Sequence, residues 1–186
     1  MNVNGKINCD GESSINSLGG GGSGGSLLLE IGTLLGYGVI SCNGGDGGQY
    51  LSGGIGRGGG GGGGRMIIKF VSQSYKEKYN NFSGVVSTYG GAGFQKGSAG
   101  TIFIKKKMQN IQKNILIIKN NNKTFLPTVI TKSLKYVINE FYILGSSYVT
   151  ININNNNYDN GKYFYAENLI GDNTGKFNEN KRFRIM

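Results

Sequence analysis

The side chains best equipped for chemistry are thinly spread along this chain. It has no His, so the commonest general base and metal ligand is missing. The carboxylates of Asp10, Glu12, Asp46, Glu140, Asp159, Glu167 and Asp172 are dispersed. Cleaving a polysaccharide needs two carboxylates, or a carboxylate and a cation, gathered at one bond. Asp10 follows Cys9, but Asn43 follows Cys42 at the matching place, so that acid is not repeated. Two cysteines are too few for a disulfide framework and offer too few ligands for zinc. The stretch GGDGG at 44–48 hints at a calcium-binding nonapeptide, but its Asp is misplaced and does not recur. No GxxxxGK[ST] occurs, so the glycines form no phosphate-binding loop of that kind. No catalytic, cofactor-binding or metal-binding residue is assigned. No cofactor is expected, and neither is catalysis.

The elements that would position any site must come from an unusual composition. Of 186 residues, 35 are Gly, and Asn runs occur at 120–122 and 154–157. Pro127 stands alone, which excludes collagen with its strict triplet and abundant Pro. A hydrophobic content of 37%, with 11 Tyr and 9 Phe, argues against full disorder. The length fits a single domain, 1–186, with a Gly-rich part over 1–105 and an Asn- and Lys-rich continuation over 106–186. The net charge of +10 favours an anionic partner. A nucleic-acid-binding reading rests on that charge and on Arg57-Gly58-Gly59. Such segments usually rely on many Arg-Gly-Gly units with interleaved aromatics, and this chain has four Arg. The plainer reading is a solvated, Lys-rich surface, so nucleic acid is not the expected partner. No stretch approaches the ~20 apolar residues of a membrane-crossing helix. The N-terminus lacks the basic and apolar regions of a signal peptide. Taken as it stands, the chain would stay in the cytoplasm.

Two short units alternate along the first half. One reads GKINC at 5–9, GVISC at 38–42 and GVVST at 84–88, with a looser copy, GKFNE, at 175–179. The other reads GSLLLE at 25–30, GRMIIK at 64–69 and GTIFIK at 100–105. Each alternates as a strand does. In the first unit Ile7 and Cys9 share a face, matched by Ile40 and Cys42, then by Val86 and Thr88. In the second, Leu27, Leu29 and Ile31 are matched by Met66, Ile68 and Phe70, then by Ile102 and Ile104. Glu30, Lys69 and Lys105 fall on the opposite face, together with Leu28, Ile67 and Phe103, a stripe that calls for a cover. The spacing drifts, so the pattern predicts fixed strands joined by loops of variable length.

Beyond Lys105 the predicted elements change. KKKMQNIQKN reads as a short helical turn or a loop. Residues 114–120 read as an apolar strand, and 136–152 as two strands split at 145–147. In these, Phe141 and Ile143 alternate, as do Val149, Ile151 and Ile153. GKYFYAENLI reads as one more strand, and almost no α-helix is expected.

Gly-rich tracts stand before each copy of the second unit, at 19–25, 58–64 and 91–100. Ordering Gly costs about 0.5–1 kcal/mol more than ordering Ala, so seven in a row are not ordered idly. Either they loop outside the core, or backbones pack where any Cβ would clash. Recurrence at one phase of a repeat favours tracts stacked beside each other as extended polyglycine strands.

GGGGSGGSLLLEI, GYGVISCNGGDGG, GGGGGGGRMIIKF and SAGTIFIKK resemble the glycine-rich repeats of large surface proteins of protists and bacteria. The likeness covers about residues 5–119. It implies an all-β fold, a parallel β-helix or irregular β-solenoid with Gly-rich and Asn-rich loops, and a chain that is a fragment of a longer repeat array. It implies a structural or adhesive role at a cell surface or outside the cell, with glycans or other surface proteins as partners. A carbohydrate-active β-helix enzyme and a Gly-rich nucleic-acid-binding protein are the rival readings. Parallel stacking buries like side chains in ladders, and Cys9, Cys42 and Thr88 would form one. Stacked strands lie about 4.8 Å apart, within reach of a Cys9–Cys42 disulfide. Buried free thiols are the favoured alternative.

Overall fold

The computed structural model describes residues 1–15, 18–48, 58–71, 82–108, 111–121, 126–130, 137–152, 164–180 and 183–185. The fold is all-β, with thirteen strands and no helix among the described residues. The two repeat units form the expected strands. The first gives β1 (Lys6–Asn8), β3 (Val39–Ser41) and β5 (Val85–Ser87), which pair in parallel. Ile7 lies beside Ile40, and Ile40 beside Val86. The second gives β2 (Ser26–Ile31), β4 (Arg65–Phe70) and β6 (Thr101–Met108), also parallel, with Leu27, Met66 and Ile102 in register. Between these two layers the inward side chains make one core of Leu34, Ile40, Cys42, Met66, Ile68, Phe70 and Ile102.

Each rung of this half follows one path. It leaves a short strand along an outbound tract, turns back along an inbound tract and enters a longer strand. The outbound tracts are 9–14, 42–48 and 88–93; the inbound ones are 19–25, 58–64 and 95–100. They lie side by side and bond with a period of three. Gly21 and Gly24 donate to the carbonyls of Gly59 and Gly62, both at 2.9 Å. Gly60 and Gly63 donate to Gln95 and Ser98 at 2.8 and 2.9 Å. Gly61 and Gly64 donate instead to Gly45 and Cys42, at 2.9 and 2.7 Å. Amides that turn by a third of a revolution per residue are the mark of a polyproline-II backbone, which makes no internal hydrogen bonds. Here neighbouring tracts supply them.

The stretch KKKMQNIQKN is neither helical turn nor simple loop. β6 runs on to Met108, and β7 (Ile111–Lys119) returns antiparallel to it. The alternation predicted for the second unit holds in β6, with Ile102 and Ile104 toward the first core and Phe103 toward the other face, whereas Ile115 to Ile118 of β7 are consecutively apolar because both faces are covered there. From β7 onward parallel pairing resumes. β9 (Ile138–Leu144), β11 (Phe164–Gly171) and β13 (Phe183–Ile185) extend the same sheet to seven strands. A separate parallel sheet holds β8 (Pro127–Ile130), β10 (Tyr148–Asn152) and β12 (Lys176–Asn180). GKFNE therefore is not a fourth copy of the first unit. Its residues 176–179 lie in β12, beside β10 and away from β5. The split at 145–147 is a turn with Gly145 at φ +60° and Ser146 at +58°, which is left-handed backbone. Phe141, Ile143, Val149 and Ile151 are buried as their alternation predicts. Ile153 lies outside the described residues.

The core changes sides at the β6–β7 joint. Ile102 lies opposite Ile117, and both pack in the first core. Phe103 lies opposite Leu116 on the other face, against a second core of Ile118, Ile138, Phe141, Ile143, Val149 and Ile151. One seven-stranded sheet thus carries a core on one face in its first half and on the other in its second.

Candidate functional site

Polar residues of the first two outbound tracts sit three apart, at 10 and 13 and at 43 and 46, with Tyr89 and Ala92 at the matching places of the third. These polar side chains link the rungs. Asp10 Oδ1 accepts the Asn43 N–H at 2.6 Å, and Asn43 Oδ1 accepts the Tyr89 N–H at 2.7 Å. Ser13 Oγ accepts the Asp46 N–H at 2.9 Å, and Asp46 Oδ1 accepts the Ala92 N–H at 2.6 Å. The repeat therefore preserves an oxygen after Cys9 and Cys42, whether from Asp or from Asn. The Asp of GGDGG spends that oxygen on a backbone amide. Burial raises the Asp10 pKa, but hydrogen bonds from Asn43, Lys6 and Ser41 together bring it below the usual value. On the far side of the lattice Asn120, fully buried, accepts from Gly90 N–H at 2.6 Å and donates to the Gly97 carbonyl at 3.3 Å.

The glycines are fixed by sterics in the same rhythm. A Cβ on Gly61 would run into the carbonyl of Gly22, and one on Gly97 into that of Gly61. At Gly59 and Gly62 the nearest atoms lie at 3.7 and 3.6 Å, ordinary contact distances. The sequence carries this as a triplet, x-Gly-Gly, in NGGDGGQ from 43 and GGGSGGS from 20. The stacking of the tracts beside each other is the arrangement their recurrence predicts, but the sequence reading missed the period of three that fixes which glycines face a neighbour.

At the border between lattice and strands, Cys9 and Cys42 are free thiols, one half-buried and one fully buried. Burial, then the adjacent Cys9, pushes the Cys42 thiol up to about 12, so it is no nucleophile at neutral pH. Thr88 completes the ladder, and its buried Oγ1 has no hydrogen-bond partner.

The remaining acids serve the second half. Glu140 pairs with Lys113 at 2.6 Å and accepts from the Tyr142 hydroxyl at 3.1 Å. The Lys113 bond, opposed by partial burial and helped by Tyr142, lowers its pKa. Glu167 accepts from Asn139 at 2.9 Å. Asp172 accepts from Thr174 Oγ1 at 2.6 Å and the Gly145 N–H at 2.8 Å, which hold it at about 2. Asp159 lies outside the described residues, as does Arg57 of the Arg-Gly-Gly triplet. Among the described residues no three acids or cysteines gather where a metal could sit.

The outward stripe divides in two. Leu28 is 55% exposed and Ile67 37%, while Phe103 packs against the second core. Beside Ile67 the stripe opens into an apolar groove of about 340 Å³, walled by Phe103, Leu116, Ile130 and Ile138, with Arg65 at its rim. No described helix is long and apolar enough to cross a membrane.

The chain matches no family model, no curated protein and no solved structure. Its fold and surface are therefore the evidence for what it does.

Proposed function

We propose that the chain is a β-solenoid segment with a structural or adhesive role in a surface or extracellular protein, presenting an elongated face to glycans or to other surface proteins. One observation carries this reading. Like side chains pile up in register along two parallel ladders, Ile7–Ile40–Val86 and Leu29–Ile68–Ile104, while glycine tracts tie the rungs together. Such stacking builds a rigid scaffold whose outward positions are free to vary. Among the described acids, Asp10 and Asp46 are bonded to backbone amides, Glu140 to Lys113 and Glu167 to Asn139, each in its own place. Resemblance to glycine-rich surface repeats supplies the cellular setting.

The test is binding of the purified chain to a panel of acidic and neutral glycans, with sugar release followed in parallel. Retention on one glycan class without release supports the reading. Released sugar would turn it toward an enzyme, and RNA binding that weakens steeply with salt toward a nucleic-acid protein.

A further inference from the structure

Where the seven-stranded sheet changes the face that carries its core, it leaves a step. On the outward side of β4 and β6 the covering sheet begins only at β8. Ile67 of β4 therefore stays 37% exposed, and Phe103 and Ile130 are only partly buried. The step is the apolar groove of about 340 Å³, built by β4, β6, β7, β8 and β9, all interior strands. Its volume falls among small-ligand sites, which span about 300–1,000 Å³. Thr128 Oγ1 donates to the Ala99 carbonyl at 2.7 Å, which holds β8 against the start of β6 and fixes one wall.

The groove has a polar end and an oily length. Arg65 and Thr101 are partners in register and stand together at one end. The rest is hydrocarbon, from Ile67, Phe103, Leu116, Ile130 and Ile138. No acid is among the described residues that line it, and Arg65 makes no ion pair with a described residue. Lys69, Lys105 and Lys107 share the outward face by alternation. The acid in register with them, Glu30, bonds Lys69 at 2.6 Å. That face is therefore positive beside an apolar slot. A ligand with polar groups along its length would lose their water there and meet no side-chain partner. A hydrocarbon tail has no such groups, and Arg matches a carboxylate with two parallel N–H bonds.

We infer that the groove binds one long-chain fatty carboxylate, its head on Arg65 and Thr101 and its tail along Phe103 and Leu116 toward Ile138.

Calorimetric titration of the whole chain with monomeric saturated carboxylates of increasing length tests this. Affinity rises about fourfold per added methylene until the groove is full. The alcohol of the same length binds at least about tenfold more weakly, because it lacks the charged hydrogen bonds. Arg65→Met removes the charge at an exposed strand end. It brings the carboxylate down to the affinity of the alcohol and leaves the alcohol unchanged. The chain has no Trp, so Leu28→Trp, beside Ile67 in register, supplies a single reporter that a brominated tail quenches on binding. Vesicles of phosphatidylcholine and phosphatidylserine do not retain the chain, since the groove takes a single tail. Affinity that ignores tail length, carboxylate and alcohol bound alike, or an Arg65→Met chain that binds carboxylate as tightly as the native one would overturn the inference. So would a bound brominated tail that leaves the reporter bright, or retention on vesicles without binding of the monomeric carboxylate.

Discussion

Asp46 Oδ1 accepts the backbone N–H of Ala92 at 2.6 Å, across the gap between the second and third rungs. Asn43 makes the same bond to Tyr89 three residues earlier. Rungs are thus sewn at every third residue by a short side chain as well as by backbone. Asp46→Ala should cost about 1 kcal/mol, and Asp46→Asn much less, because the amide keeps the acceptor. Chemical denaturation of the three proteins checks this. Added calcium or a chelator should leave the native midpoint unchanged.

Gly61 and Gly62 are neighbours in sequence and opposites in space. Gly61→Ala places a methyl group against the Gly22 carbonyl and should cost about 2 kcal/mol or more. Gly62→Ala has room and should be neutral or stabilise by about 0.4–1 kcal/mol, through a less flexible unfolded chain. Thermal melts of the pair decide. Equal losses at the two sites would mean that the tract has no phase.

Thr88 carries a buried hydroxyl with no partner, and such a group costs about 1–3 kcal/mol. Thr88→Val keeps the shape and removes the orphan oxygen, so it should raise stability by about 1 kcal/mol. Thr88→Ser keeps the oxygen, loses the methyl group and should lower it. The two midpoints should move in opposite directions.

Acid should loosen the fold along a defined course. Asp10, Glu140 and Asp172 all have folded-state pKa values below their ordinary ones. A depressed carboxylate stabilises fully above its unfolded pKa and loses that contribution as pH falls through its folded value. Stability should therefore be level between about pH 5 and about pH 8 and decline below that window, the last acid loss coming near pH 2, where Asp172 titrates, while the raised Cys42 thiol makes it fall again in alkali. Asp172→Asn should flatten the lowest part of that curve in a pH series of denaturation midpoints.

Much of the strand register was legible. Ile7, Ile40 and Val86 sit at one place in a repeated five-residue phrase, and side chains of one kind at one phase stack in parallel sheets. The glycine lattice was harder to read because glycine has no side chain to mark its phase. Only its interruptions do so, at Asn43, Asp46 and Ser23, and these are few. The role of Asp46 was hidden for a related reason, since its partner is a backbone amide 46 residues away and leaves no trace in residue types. The β6–β7 return was illegible because Lys105 to Lys107 mask a strand whose apolar neighbours have partners on both faces. GKFNE misled by local likeness, since five residues name a strand but not the sheet it joins.

The change of sides at β6 and β7 makes these two strands a party wall. Ile102 and Ile117 face one room, Phe103 and Leu116 the other. Neither half can be dismantled to its last strand without laying bare the back of the other. The middle of the chain, rather than either end, is then the keystone, and its amides should be the slowest to exchange with solvent.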